Sequence, residues 1–387
     1  MFRRKSKRPK NGKHLGETYE SAILTRAPES NENNTSSRIV RRREVKPIKS
    51  DGRDEIWSVA FLVDGKYIVS GGVEWKIRRW RADDGKEVET PIMYAASTVR
   101  NIAVSQDGKW IVGGTSHGVV LWNAKTREKV TELKGQDEVS VCAVDVSPGS
   151  TRVATGSEGG TVHIWSFDTG EQVLKPLQHD YPVVGVKFSP KGRFIATAAQ
   201  WGDNPVRIYD SRNGHLIVDF PVRVSSLRNQ SLAWASDSMQ LLALSSDGDI
   251  YCLDLSTGTT LSKWPIHSSR NPTCIALASN GAFIATSGDF SVSFWDTASH
   301  KQIGSVIQHT EIIESMAMSA NYDIVIAGGQ AIALWSLLDN LPSPYCDDIS
   351  TFASKAQRVR RALNYSLQTA LSVVADPTQP RNLAHEG

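Results

Sequence analysis

The sequence predicts an all-β protein in which one small antiparallel sheet is repeated and the copies are packed side by side in a ring. Three observations carry that prediction. Glycine is abundant, at 29 of 387 residues, and tryptophan, at 11, outnumbers both phenylalanine and tyrosine. Tight turns and large rings on pleated surfaces call for this composition. A strand-like segment ending in a large side chain recurs at near-constant spacing, and each copy follows the same order of apolar stretch, turn and second strand.

The recurring segment is clearest at residues 291–296, SVSFWD, where Val292 and Phe294 alternate with polar neighbours before Trp295. Equivalent segments are IRRW ending at Trp80, VVLW at Trp122, VHIW at Trp165, VRIY at Tyr209, IYCL at Leu253 and IALW at Trp335. The successive spacings are 42, 43, 44, 44, 42 and 40 residues. A period of this length marks a repeat architecture and sets the fold before any local reading.

Each unit begins with an apolar stretch, as in WSVAF (57–61), VGVKF (184–188) and SLAWA (231–235). A turn follows: VDGK (63–66), SQDGK (105–109), SPKGR (189–193) or ASNGA (278–282). A second strand then ends in small residues, as in YIVSGG and FIATSG, and a short loop leads to the ring-bearing third strand. A turn such as DDGK or FDTGE precedes a short fourth strand, for example EQVLKPL in the third unit. Four short strands joined by turns form one small sheet. Such a sheet cannot bury both faces alone, but sheets packed face to face in a ring cover one another.

This pattern resembles the WD40 family over residues 38–338, and within it the single-propeller WD40 proteins numerous in fungi. Seven ring positions then imply a seven-bladed β-propeller. Only Trp295–Asp296 spells the WD pair in full; Tyr209–Asp210 and Leu253–Asp254 keep the Asp. The resemblance implies that a segment near residues 44–49 supplies the outer strand of the last blade and closes the ring, with the basic run 41–43 flanking it. It also implies a buried His, Ser/Thr, Asp and Trp chain bracing each blade. Blade 6 matches with His267, Thr286, Asp289 and Trp295. Blade 4 matches with His179, Thr197, Asp203 and Tyr209. Blades 2, 3 and 5 lack parts of the set and are expected to rely on apolar packing.

One slot at the start of each first strand varies freely among apolar neighbours: Trp57, Arg100, Cys142, Val184, Gln230, Thr273 and Glu314. In WD40 proteins the corresponding residues rim the central channel on the top face, where partners bind. Trp75 and Trp201 lie between second and third strands and would reach the same face. Aromatic and arginine side chains are common binding anchors. The expected partner-binding set is therefore Trp57, Trp75, Arg100, Trp201, Gln230 and Glu314, taking protein or peptide partners on a monomeric propeller.

Residues 1–50 hold 14 of the 44 Lys+Arg and 5 of the 41 Asp+Glu, a net charge of +9, leaving −6 for the rest. Residues 1–37, with few large apolar groups, read as a disordered basic arm. Their run RRKSKRPK (3–10) resembles a nuclear import signal. Residues 339–346 read as a linker and 376–387 as a disordered tail. Between them, 347–375 reads as an amphipathic helix with Ile349, Phe352, Val359, Leu363 and Leu367 on one stripe. It would dock on the propeller or on a partner.

The chemistry search points away from catalysis. GTSHG (114–118) matches a hydrolase elbow in letters, but a strand follows where that motif needs a helix. No phosphate loop, HExxH or Cys/His metal spacing occurs, and no metal or cofactor is expected. The four cysteines form no CxxC pair and read as free thiols of a reducing compartment, cytoplasmic and/or nuclear. No apolar run approaches membrane-spanning length, and the charged start does not read as a signal peptide. The sequence thus predicts a non-catalytic interaction scaffold. The alternatives are a nucleic-acid- or chromatin-associated protein using the basic arm and, less favoured, a propeller enzyme.

Overall fold

A computed structural model describes residues 55–88, 97–133, 139–224, 230–266, 273–337, 341, 342 and 345, and the backbone alone of 42–45, 92–94 and 272. The predicted arm (1–37), the predicted helix (347–375), the tail (376–387) and His267 lie outside the described residues.

Seven four-stranded antiparallel sheets form a seven-bladed propeller. In six blades the strands run in chain order from the channel outward. Blade 1 covers residues 56–94, blade 2 99–133, blade 3 141–178, blade 4 183–220, blade 5 232–265 and blade 6 272–308. Blade 7 takes its three inner strands from residues 315–336 and its outer strand from Arg42–Val45.

The turn between first and second strands is the same in every blade. A backbone N–H bonds back three residues at Gly65, Gly108, Ser150, Gly192, Ser238, Gly281 and Tyr322. All seven residues have positive φ, between 53° and 71°. Glycine is the cheapest occupant of that region, which explains the DG, KG and NG pairs of the sequence. The fourth strand of blade 3 is shorter than the expected EQVLKPL. Only Leu177–Gln178 pairs continuously, after an isolated bridge from Trp165 to Gln172. Pro176 has no N–H for a ladder.

The core is divided among the blade interfaces. Among the described residues seven buried apolar clusters form, and each joins two neighbouring blades. Ile56, Val59, Ile68 and Trp80 of blade 1, for example, pack against Val325, Ala327, Ile332 and Leu334 of blade 7. The repeating ring positions all serve this packing: Trp80, Trp122, Trp165, Tyr209, Leu253 and Trp295 are buried, and Trp335 is partly so.

Closure by the amino-terminal segment holds, at a shifted place. Arg42 to Val45 pair with Trp335 to Ile332, so the strand overlaps the expected 44–49 only at Glu44 and Val45. Two of the basic residues expected to flank the strand belong to it. Pro47, which cannot donate to a ladder, explains why apolar content misled the placement. Past the last strand, Leu341 is buried among blades 6 and 7, and Tyr345 donates to Asp296 Oδ2 at 2.9 Å.

Two prolines replacing Arg43 and Glu44 remove at least one seam hydrogen bond, because successive N–H groups point to opposite edges. The expected cost is about 1–3 kcal/mol, read as a lowered midpoint in thermal or urea melts. An unchanged midpoint would show that the seam does not hold the ring.

Candidate functional site

The variable slot has a backbone cause. The register of the first two strands breaks around Trp57, Arg100, Cys142, Val184 and Thr273, each an extra residue bulged out of its ladder. A bulge re-aims the side chain of the residue it leaves unpaired. The bulges repeat at the inner end of five blades; Trp57, Arg100 and Cys142 are left partly exposed there, whereas Val184 is buried against blade 5 and Thr273 is buried against Ser287 and Ile313. First strands begin where second strands end, as in the pair Ile56–Gly72. The loops carrying Trp75 and Trp201 therefore share this face. Both rings are about half exposed, at 50% and 55%.

The expected binding residues are not equally free. Arg100 reaches from blade 2 to blade 3, where its Nη1 donates to Glu158 Oε1 at 2.6 Å and lies 3.8 Å from Cys142 Sγ. Gln230 ties blade 5 to blade 7. Its Nε2 donates to Ser315 Oγ at 2.9 Å, and Met316 N donates to its Oε1 at 2.7 Å. Its backbone carbonyl accepts from Ile275 N of blade 6 at 2.7 Å. Trp57 is partly exposed, its Nε1 3.4 Å from Glu55 Oε2. Glu314 is partly exposed, and its backbone N–H donates to Ala327 O. Trp201 meets the ring of Tyr181 edge-on, centroids 6.2 Å apart; Tyr181 was not singled out from sequence.

The family model described as "WD domain, G-beta repeat" matches residues 45–81, 89–123, 127–166, 170–210 and 258–296. The chain belongs to the WD40 family. The chain is 29% identical over 188 residues to Actin-interacting protein 1 of Drosophila melanogaster, covering 47% of this chain and 30% of that protein. It is 25% identical over 249 residues to Protein SPA1-RELATED 4 of Arabidopsis thaliana, covering 60% and 31%. It is 26% identical over 236 residues to WD repeat-containing protein 1 of Rattus norvegicus, covering 58% and 38%. The matched region thus spans about a third of the length of these curated relatives. WD40 propellers are typically protein-interaction scaffolds.

The WD40 bracing is uneven across blades. Indole N–H groups donate to second-strand hydroxyls in blade 1 (Trp80 to Ser70, 2.9 Å), blade 3 (Trp165 to Thr155, 3.1 Å) and blade 6 (Trp295 to Thr286, 2.9 Å). Blade 3 therefore does not rely on apolar packing alone; Thr155 of RVATGS supplies the acceptor. Blade 2 has Gly113 at that place. A Cβ there would lie 2.8 Å from Trp122, so the ring fills the space of the missing side chain, and its N–H finds no partner among the described residues. In blade 4, His179 Nε2 lies 2.9 Å from Thr197 Oγ1, and the His179 ring meets Tyr209 edge-on at 6.2 Å. Asp203 is exposed on the adjoining loop. Asp289 of blade 6 has a positive φ of 48°, and its carbonyl accepts from Ile313 N.

Other sequence matches fall where structure gives them ordinary roles. Ser116 and His117 form a two-residue turn between the antiparallel strands Trp110–Thr115 and Gly118–Asn123. Asp249, at the start of the third strand of blade 5, pairs with Lys263 at 2.8 Å. Among the described residues no group of three His, Cys, Asp or Glu side chains is placed to hold a metal, and no helix is long and apolar enough to cross a membrane.

Two outcomes test this wiring. Gln230→Leu leaves the Met316 N–H without its acceptor and is expected to cost about 2 kcal/mol, measured by urea melts. Burial, helped by Arg207, lowers the His179 pKa to about 4, against about 6.5 in an unfolded chain. The unfolded state therefore binds the proton first, so stability held above pH 6.5 falls as pH drops toward 4, by up to about 3 kcal/mol. The difference in stability between pH 7 and pH 4.5 should shrink in His179→Gln; an equal loss in both proteins would contradict this.

Proposed function

We infer that this propeller is a non-catalytic scaffold that grips a protein or peptide on the face carrying the bulged slot. Trp57, Trp75, Arg100, Trp201 and Glu314 are its contact residues, and Gln230 holds the rim in shape between them. The observation that carries the reading is the repeated bulge. It takes one residue out of the ladder in each of five blades, and of these Trp57, Arg100 and Cys142 stay partly exposed around a single mouth. Tryptophan gives large contact area at low entropic cost, and both Trp and Arg are enriched among binding hot spots. Two half-exposed tryptophans on adjoining loops extend the same surface. The names of the relatives agree with this class, since one is an actin-interacting protein. The nucleic-acid alternative rests on the charge of residues 1–37 alone, outside the described residues.

The test is capture of partners from the native extract with the parent chain and with Trp57→Ala plus Trp201→Ala. Each hot-spot removal costs about 2 kcal/mol, roughly thirty-fold in affinity, so partners should be lost while the thermal midpoint stays near that of the parent. Retention of every partner by a folded double variant would refute the reading.

A further inference from the structure

The repeat is broken most clearly in blade 4. Between second and third strands the other blades have two to four residues, whereas blade 4 has six, 200–205, joining Phe194–Ala199 to Val206–Asp210. Insertions into a repeat concentrate on loops of the binding face. This one carries Trp201, Asp203 and Asn204, with Gly202 at a φ of 111° that a side chain rarely adopts. It overhangs a cavity of about 310 Å³ lined also by Asp180, Tyr181, Arg207 and Asp219.

The lining combines two features that suit one kind of ligand. Tyr181 and Trp201 are both substantially exposed, and their planes stand at 82°. Exposed aromatic faces attract a cation through the ring quadrupole. Three carboxylates, Asp180, Asp203 and Asp219, share the cavity with one guanidinium. That guanidinium, Arg207, is already directed at the Gln178 carbonyl (3.0 Å) and at Asp180 (4.0 Å). His179 beneath adds no positive charge at neutral pH, because burial keeps it unprotonated. Asp219 is steadied by Asn204 Nδ2 at 3.4 Å. The cavity thus carries a net charge of about −2 beside two rings, and a concave site of this volume takes a side chain rather than a flat surface.

We propose that this corner of blade 4 binds a basic side chain, arginine or lysine, presented by the protein partner, with the ring pair receiving the cation and Asp203 and Asp219 pairing with it. The inference names the ligand for one part of the face described above and rests on that reading.

The test uses the full chain labelled with 5-fluorotryptophan, with the Trp201 fluorine signal assigned by its loss in Trp201→Phe. The probes are acetylated, amidated Gly-Gly-Xaa-Gly-Gly peptides with arginine, lysine, citrulline or norleucine at Xaa. A saturable shift of the Trp201 signal is expected with arginine or lysine and none with the two neutral residues; the stronger of the cationic pair identifies the preferred head group. Asp203→Asn plus Asp219→Asn should weaken binding about five-fold, the effect of two partly exposed charge contacts. No saturable shift, an equal response to citrulline, or an unchanged double variant would overturn the proposal. If partner capture fails with Trp57→Ala plus Trp201→Ala while no cationic probe binds, this inference falls and the interaction reading stands.

Discussion

Every sheet in this protein depends on its neighbours for a core. The seven apolar clusters lie between blades, and each draws side chains from two sheets. A lone four-stranded sheet with one such face exposed would be marginal in water. The ring is therefore the smallest unit that satisfies all interfaces, and closure is a condition of stability for the whole. Polar stitches follow the same circle: Val59 N donates to Ser315 Oγ, Ile102 N to Ser58 Oγ, and Val144 N to Asn101 Oδ1. Each crosses from one first strand to the next, where the sheets crowd toward the channel.

Distributing the core this way lets individual blades depart from the repeat. Blade 2 dispenses with the second-strand hydroxyl because Trp122 fills the space above Gly113. Blade 5 has Leu253 in the ring place, with Ala243 at the usual hydroxyl position, yet both are fully buried in an interface shared with blade 4. A lost hydrogen bond costs on the order of 1 kcal/mol when no donor is stranded, as in blade 5, and about 1–3 kcal/mol for a stranded donor such as the Trp122 N–H of blade 2, which an interface of this size absorbs. The same tolerance lets the channel mouth vary at Trp57, Arg100 and Cys142, which lie outside both the ladder and the buried clusters.

The periodic parts of the fold were legible in the sequence. The 40–44-residue spacing of ring residues gave the blade count, and the glycine turns gave the first hairpin of blades 1, 2, 4 and 6, because both are dictated by local chemistry; in blades 3, 5 and 7 Ser150, Ser238 and Tyr322 hold the same turn without that signal. The seam register was less legible, since an outer strand is held by backbone bonds and its apolar content does not specify which four residues pair. For the slot, the variable position could be read, but the bulge that causes it could not, because unpairing is a two-strand property. Gln230 illustrates the limit. As one polar letter in a variable row it resembled Glu314, and only the fold brings it to Ser315 and Met316, about 85 positions away in sequence. The blade 4 loop did carry a signal, its excess length, whereas its companions Tyr181 and Asp219 come from other parts of the unit.

The seam has a consequence for biogenesis. Arg42–Val45 is made before the other described strands, but its pairing partner, Ala331–Ser336, is made some 290 residues later. At ordinary translation speeds that interval lasts roughly 15–60 s. Throughout it the nascent chain holds a strand without a mate and, at the other end, a growing stack whose last sheet is uncovered. A short, arginine-bearing strand is poorly suited to pair with strangers, since charge and brevity both discourage edge-to-edge association. Those residues thus protect the unfinished chain before they fasten the finished one.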